Sequence, residues 1–342
     1  MAIDEIVGDS IDRAVNIEMS FRAGLPRGVT YPLYEAARNK QGKPLTWLAA
    51  KLLKDKVRAG QHVFVVTGAG TPPGLPAGET DGPPGAAAIA RAIEFGLGAK
   101  PVLISEARNM PAVVKSTEAA GVAVVDEALF KQRRSCALAI DYPLGDEAGR
   151  KAARELCDKF QPAAMIFIEK VGPNTKGIYH SIKGTPRPHD EIASAYHLAE
   201  YAKAHGIPTI GVGDGGNEIG CGLIKEEVRE LQPYGKDCSC PCHGGIGTVT
   251  ECDILVFAAV SNWGAYGIAA ALAGHLGDRE VLHDAATELR IVHASVAGGA
   301  MDGAYSRLIP YVDGTSDKVQ ASLITLLHQI VENGLKEYDR GF

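Results

Sequence analysis

The fold class this sequence predicts is α/β: a doubly wound, mostly parallel sheet with a helical N-terminal extension. Three observations predict it. From His62 onward, short apolar runs alternate with segments of helical periodicity, which implies parallel strands joined by crossover helices. The strand-like runs, HVFVVT at 62–67 and AAMIFI at 163–168 among them, lack strict apolar–polar alternation, so both sheet faces are covered. Residues 1–60 contain no strand-like run.

Each element has its own signal. In the extension, apolar residues recur at helical spacing over Ile3–Ala23 and Leu45–Val57, and Pro26 and Pro32 break the run between them. His62–Thr67 is β-rich and ends in a Gly- and Pro-rich loop. An Ala-rich helix follows at Gly85–Leu97, then a strand at Pro101–Ser105 and a helix at Ala112–Ala120. Val122–Val125 and Ala137–Ile140 are short strands, and Asp146–Phe160 is a helix before the strand Ala163–Ile168. Helices at His189–His205, Glu218–Leu231 and Trp263–Leu276 alternate with strands at Ile207–Val212 and Ile254–Val260. The tail from Val281 is mostly helical, with a Gly-rich bend at Gly298–Gly303. The chain divides into an extension, 1–60, and an α/β domain, 61–342, with one compact unit the simplest arrangement.

Composition narrows the function. At 46% hydrophobic and 22% charged over 342 residues, the chain is not disordered. A net charge of −6 argues against general binding to nucleic acid or anionic membranes. Apolar runs such as Ile254–Val260 are too short to span a bilayer. The start, MAIDEIVGDSIDRAV, lacks the basic and apolar regions of a signal peptide, so a cytoplasmic location is expected. A homodimer stays open.

Open parallel sheets bind ligands beyond the carboxyl ends of their strands, and four such ends here carry polar residues and glycines. The first strand runs into Thr67-Gly68 and then the loop with Glu79, Asp81 and Gly82. The second of them runs into Glu169-Lys170, Asn174 and Tyr179-His180, the third into Asp214-Gly215-Gly216-Asn217-Glu218, and the fourth into Ser261-Asn262. Glu169 follows a buried strand, and burial raises a carboxyl pKa toward acid–base work. Lys170, next along an extended chain, is expected to face the other way. Asp214 and Glu218 suit an ammonium or a divalent cation. Gly215 and Gly216 are expected to let the main chain approach a ligand, with at least one at positive φ. Plainer readings stand beside these. Asp214 or Asn217 caps a helix, Glu169 forms a surface ion pair, Glu79 and Asp81 are solvated, Asp81 caps the Gly85 helix, Tyr179 and His180 are core, and Asn262 is an N-cap.

Seven cysteines suit a chain without disulfides, and Cys136, Cys157 and Cys221 are isolated enough to be small core residues. Cys238, Cys240, Cys242, His243 and Cys252 have the residue types of a zinc or iron–sulfur site. Their spacing fits no common zinc motif, and C-x-C-x-C on a Gly-Pro-rich loop is expected to leave the metal unbound. A reactive-thiol loop or a Gly-rich flap is the alternative.

Four segments together resemble the D-glutamate cyclase family. They are Glu79–Gly85 (ETDGPPG), Ile168–Lys170 with Gly172 and Gly177–Tyr179, Gly211–Gly220 (GVGDGGNEIG), and Val260–Tyr266 (VSNWGAY). The resemblance covers residues 60 to 330 and matches that family's C-terminal catalytic domain. It implies a Rossmann-like fold, conversion of D-glutamate or a related amino acid to 5-oxo-D-proline with loss of water, and a divalent cation such as Mg²⁺ or Mn²⁺. No nucleotide cofactor is expected. Vertebrate members carry an additional N-terminal hydratase-like domain, for which residues 1–60 are too short. Under this reading Glu169, Lys170 and Asp214 are catalytic, and Asp214 and Glu218 hold the metal. Substrate contacts fall to Thr67, Asp81, Gly82, Asn174, Tyr179, Gly215, Gly216, Asn217, Ser261 and Asn262. The competing readings are a hydrolase of another small cyclic amide and a non-catalytic sensor of a small molecule. Turnover of a cyclic amide without activity on D-glutamate marks the first, and tight binding without turnover the second.

Overall fold

The computed structural model describes residues 3–19 and 26–336. The strands β1 (His62–Thr67), β2 (Lys100–Ser105), β3 (Val124–Val125), β4 (Ala137–Asp141) and β5 (Ala164–Ile168) are followed by a two-stranded hairpin, β6 (Tyr179–His180) and β7 (Pro186–Arg187). Then come β8 (Thr209–Gly213), β9 (Ile254–Phe257) and a second small hairpin, β10 (Tyr311–Val312) and β11 (Thr315–Ser316). Seven of these strands form one sheet in the order β3-β4-β2-β1-β5-β8-β9. Every pairing in it is parallel.

The chain starts at β1 near the middle, winds to one edge, returns to β5 on the far side of β1, and winds to the other edge. The β1–β5 boundary is therefore the topological switch point, where loops on either side diverge and leave a crevice. Register across it pairs Val63 with Ala164 and Thr67 with Ile168, so Gly68 and Glu169 leave the sheet side by side. β2 and β5 are buried along their whole length, as strands covered on both faces must be.

The helices are α1 (Ile3–Val15), α2 (Thr30–Gln41), α3 (Leu45–Lys56), α4 (Pro83–Arg91), α5 (Met110–Ala119) and α6 (Glu127–Gln132). After them come α7 (Asp146–Phe160), α8 (Tyr196–His205), α9 (Lys225–Leu231), α10 (Ser261–Leu276), α11 (Ala285–Ala297) and α12 (Asp317–Leu335). The central one is α10, buried continuously from Ser261 to Ala273. A helix apolar on every side has to lie inside, and α10 packs between the sheet, α4, α12 and the N-terminal helices. At Gly267 a Cβ would sit 2.7 Å from Thr46 Cγ2, so only glycine allows α3 this close.

The sequence-based elements recur with several differences, among them the helix α6 and the β6–β7 hairpin, which the sequence reading did not contain. The run expected over Ile3–Ala23 ends as a helix at Val15, and its residues 20–23 lie outside those described. Pro32 does not break a helix but sits in the first turn of α2, where a missing N–H costs nothing. The helices expected at His189–His205 and Glu218–Leu231 begin later, at Tyr196 and Lys225. The C-terminal tail also contains the β10–β11 hairpin within its irregular stretch.

The extension is tied to the sheet by polar contacts as well as packing. Gln41 donates to Leu255 O at 2.8 Å, and Ala259 N donates to Val15 O at 3.0 Å. Asp12 is buried and accepts from Leu45 N (2.6 Å), Thr46 N (3.1 Å), Thr46 Oγ1 (2.6 Å) and Tyr34 Oη (3.3 Å). It thus caps α3 from a different helix. Burial lifts its carboxyl to about 6 despite those four donors. Asp12→Ala strands the first N–H groups of α3 and is expected to cost about 1–3 kcal/mol. Urea unfolding should show that loss, and a midpoint equal to wild type would mean that the cap carries no load.

Candidate active site

A cleft of about 330 Å³ opens at the switch point. Its floor holds Glu169, Lys170, Asp214, Asn217 and Glu218, and its walls include Glu79, Glu106, Arg108, Lys183, Arg187 and Asp313.

Glu169 stands at the end of β5 with φ +47, a left-handed conformation that a glutamate rarely adopts. The twist breaks the alternation of an extended chain. Glu169 and Lys170 therefore both line the cleft, against the expectation that they face opposite ways. Glu169 Oε2 accepts from Ser261 Oγ at 2.5 Å. Burial drives its pKa well above the ordinary carboxyl range, and the neighbouring Asp214, Glu218, Asp81 and Glu79 push it further.

The 213–220 turn builds itself around Glu218. The amides of Gly215 and Gly216 donate to its carboxylate at 3.1 and 2.8 Å, and Cys221 Sγ lies 3.4 Å away. Burial raises the Glu218 pKa, while these donors oppose the rise. Gly216 has φ +104, as expected, but a Cβ there would meet Val228 Cγ1 at 2.6 Å. The glycine is required by packing against α9, and neither it nor Gly215 lines the cleft.

One carboxylate oxygen each from Glu169, Asp214 and Glu218 lies within 4.8 Å of the others, and the same holds for Asp81, Asp214 and Asp313. Asp214 is common to both groups. These are hard oxygen donors brought together in a buried place, so their donor set fits a divalent cation such as Mg²⁺ or Mn²⁺.

Lys170 does not neutralise them. Its buried Nζ is paired with Glu106 and also donates to Gly68 O at 3.2 Å. Burial lowers its pKa, and Glu106 resists the fall. Glu106 in turn accepts from Ala193 N at 3.1 Å and Asn109 Nδ2 at 3.1 Å. Glu106 and Arg108 directly follow β2, so the strand-end rule applied to Pro101–Ser105 would have found them. Asp313, Lys183 and Arg187 come from hairpins too short to carry a sequence signal.

Several predicted site residues support the cleft without lining it. Asp81 is not solvated, nor does it cap the Gly85 helix. It accepts from Ser261 N at 3.0 Å and Asn262 N at 2.8 Å, capping α10. Asn262 Oδ1 accepts from Gly82 N and Gly85 N, both at 2.8 Å, and its Nδ2 donates to Thr80 O at 3.0 Å. Pro83 and Pro84 have no N–H, so Gly85 supplies the first free donor of α4, and Asn262 satisfies it from α10. Thr67 is buried under Gly82, whose Cβ would meet Thr67 Oγ1 at 2.6 Å. Tyr179 is core, edge-on to His189. Asn174 Nδ2 donates to Gly245 O at 2.7 Å and braces the cysteine loop.

With this geometry in view, the comparisons with known proteins are informative. A family model described as "D-glutamate cyclase-like, C-terminal" matches residues 34–328. The chain belongs to this family. The match begins inside α2 and takes in the extension from residue 34 onward. Over 204 residues the chain is 32% identical to a protein of Homo sapiens named "D-glutamate cyclase, mitochondrial". That alignment takes in 58% of this chain and 30% of the human protein, so the chain spans well under half of that relative. Among the described residues no helix is long and apolar enough to cross a membrane.

Two expectations follow. Asn262→Ala leaves two amides and a carbonyl without their partner in the interior and should cost about 2–4 kcal/mol. A melting temperature within a degree of wild type would contradict that placement. The second concerns pH. Because folding raises the Glu169 pKa, its contribution to stability is full at low pH and is lost as pH rises above the ordinary carboxyl range. With chelator present, wild type should lose stability relative to Glu169→Gln, which has no proton to lose, as pH rises above the ordinary carboxyl range. Parallel melting-temperature curves for the two proteins would show that Glu169 is not held protonated.

Proposed function

We propose that this chain is a D-glutamate cyclase-like lyase, closing D-glutamate or a related amino acid to 5-oxo-D-proline with loss of water. The observation that carries the reading is the juxtaposition, in one cleft of a family member, of a buried acidic floor with the wall cations Arg108, Lys183 and Arg187. A substrate with an ammonium and two carboxylates is complementary to that pair of surfaces.

In this reading Arg108, Lys183 and Arg187 take the substrate carboxylates, while Asp214, Glu218 and Asn217 orient the ammonium. Folding the substrate so that nitrogen faces the γ-carbon is a large part of the work, because ring closure is intramolecular. Asp214 receives a proton from the ammonium, the freed amine adds to the γ-carbon, and a tetrahedral oxyanion forms. Lys170, held at the floor by Glu106, offsets that charge. Protonated Glu169 gives its proton to one γ-oxygen and is reprotonated from the nitrogen, and Asp214 returns the first proton to the same oxygen, which departs as water. The two protons lost by nitrogen leave with one γ-oxygen as water, so the atoms and charges balance. A divalent cation held by Asp214 with Glu169 and Glu218, or with Asp81 and Asp313, would supply polarisation of the γ-carboxyl when bound.

Formation of 5-oxoproline from D- and L-glutamate, with and without Mg²⁺ or Mn²⁺, tests the assignment. We expect turnover of the D-isomer and a drop of ~10²–10⁴-fold in Glu169→Gln with the fold intact. Rates of the variant within a few-fold of wild type would remove Glu169 from the chemistry. No conversion of D-glutamate under any of these conditions would overturn the assignment itself.

A further inference from the structure

We propose that His180, Cys238, Cys240 and Cys242 form a Cys₃His zinc site, outside the carboxylate centre, that clips the β6–β7 hairpin to the 238–245 loop. The expectation that C-x-C-x-C geometry is too poor for a metal fails on the observed shape of the loop. The amide of His243 donates to Cys240 O at 3.2 Å, and His243 takes a positive φ of +49. This turn brings the third sulfur back onto the first two.

The distances are those of a single tetrahedral ion. Cys238 Sγ lies 3.4 Å from Cys240 Sγ and 3.3 Å from Cys242 Sγ, and the last two are 3.2 Å apart. His180 Nε2 lies 3.3 Å from Cys240 Sγ and 3.8 Å from Cys242 Sγ. All four ligand atoms fall within 4.8 Å of one another. With Zn–S near 2.3 Å, a regular tetrahedron spaces its sulfurs about 3.8 Å apart, within roughly half an ångström of those observed. An iron–sulfur cluster needs its cysteines much farther apart, because irons and sulfides lie between them. A disulfide would join two sulfurs and leave the third thiol and the imidazole without a role. Here all three sulfurs are nearly equidistant, so no pair is singled out.

The surroundings suit thiolates. Gly244 N donates to Cys242 Sγ at 3.4 Å, and Asn174 Nδ2 approaches the same sulfur at 3.7 Å. Such outer contacts fix ligand orientation in metal sites. His243, the next residue after Cys242, and Cys252, ten residues on, do not take part. His243 is exposed and paired with Asp237 at 2.8 Å, and Cys252 is in the core beneath the sheet. Three cysteines and one histidine leave no open position, which makes the site structural. Its purpose is mechanical: Ser181, Ile182, Lys183 and Arg187 line the cleft from the hairpin that His180 anchors.

The full chain, purified under reducing conditions, is expected to hold about one zinc, with absorption at the zinc edge showing three sulfurs near 2.3 Å and one nitrogen near 2.0–2.1 Å. Cys238→Ser should lower zinc to below ~0.3 per chain, and chelated wild type should recover its zinc with protection of three thiols. Chelation should also expose the Lys183–Gly184 bond to trypsin. Three results would overturn the site. One is wild type without zinc that takes up none when supplied. Another is a mass two hydrogens lighter, marking a disulfide among these cysteines. The last is bound zinc in an all-oxygen shell, which places the ion at the carboxylates instead. The absorption spectrum of wild type decides the matter even where Cys238→Ser fails to fold.

Discussion

Two helix N-termini cap each other across 180 residues of sequence, and the cleft hangs on that exchange. Asp81, from the loop before α4, holds the first amides of α10, while Asn262, from the first turn of α10, holds the amides entering α4. Each side chain supplies what the other helix lacks, so neither end can move alone. The geometry also restricts the residue types. A Cβ at Gly85 would lie 2.9 Å from Asn262 Oδ1, and the two prolines before it remove competing donors. Ser261, fixed between Asp81 and Asn262, then reaches Glu169 at 2.5 Å. A latch made of caps thereby sets the position of the carboxyl at the centre of the cleft.

The latch makes possible an arrangement that would otherwise repel itself. Glu169, Asp214 and Glu218 lie together in a water-poor place, and Lys170 is committed to Glu106. Taking several carboxylates out of water without compensation is costly, so the surplus charge calls for a proton, a cation or a cationic substrate. The left-handed Glu169 fits this picture as backbone strain that the fold has to hold in place. The surrounding caps, sheet and buried α10 hold it against relaxation.

Much of this was legible in the sequence because strand ends are local. The runs 163–168 and 207–212 and the residues immediately after them place Glu169, Asp214, Asn217 and Glu218 at one edge of the sheet. What sequence order could not supply was the direction of each side chain. Asp81 reads naturally as the cap of the nearest helix, yet caps a distant one. The Gly215-Gly216 pair reads as room for a ligand, yet its shape is set by Glu218 on one side and Val228 on the other. Spacing was silent about the cysteines' partner for the same reason. The fourth member of that cluster, His180, lies 58 residues upstream of Cys238 and joins it only in three dimensions.

The hairpin that carries Lys183 and Arg187 poses a separate physical problem. A hairpin pairing only Tyr179 with Arg187 and His180 with Pro186 is too short to hold itself. Its position has to be imposed from outside. Asn217 Nδ2 holds His180 O at 2.9 Å, Ser239 Oγ holds Gly184 O at 2.8 Å, and Arg187 reaches Thr71. The first of these ties runs from the acidic floor itself, because Asn217 sits between Asp214 and Glu218. His180 is therefore gripped on its carbonyl by the floor and faces the three sulfurs with its ring. His180 thus joins the acidic floor to the cysteine loop, and the Lys183 and Arg187 side chains take their place on the cleft wall from its hairpin.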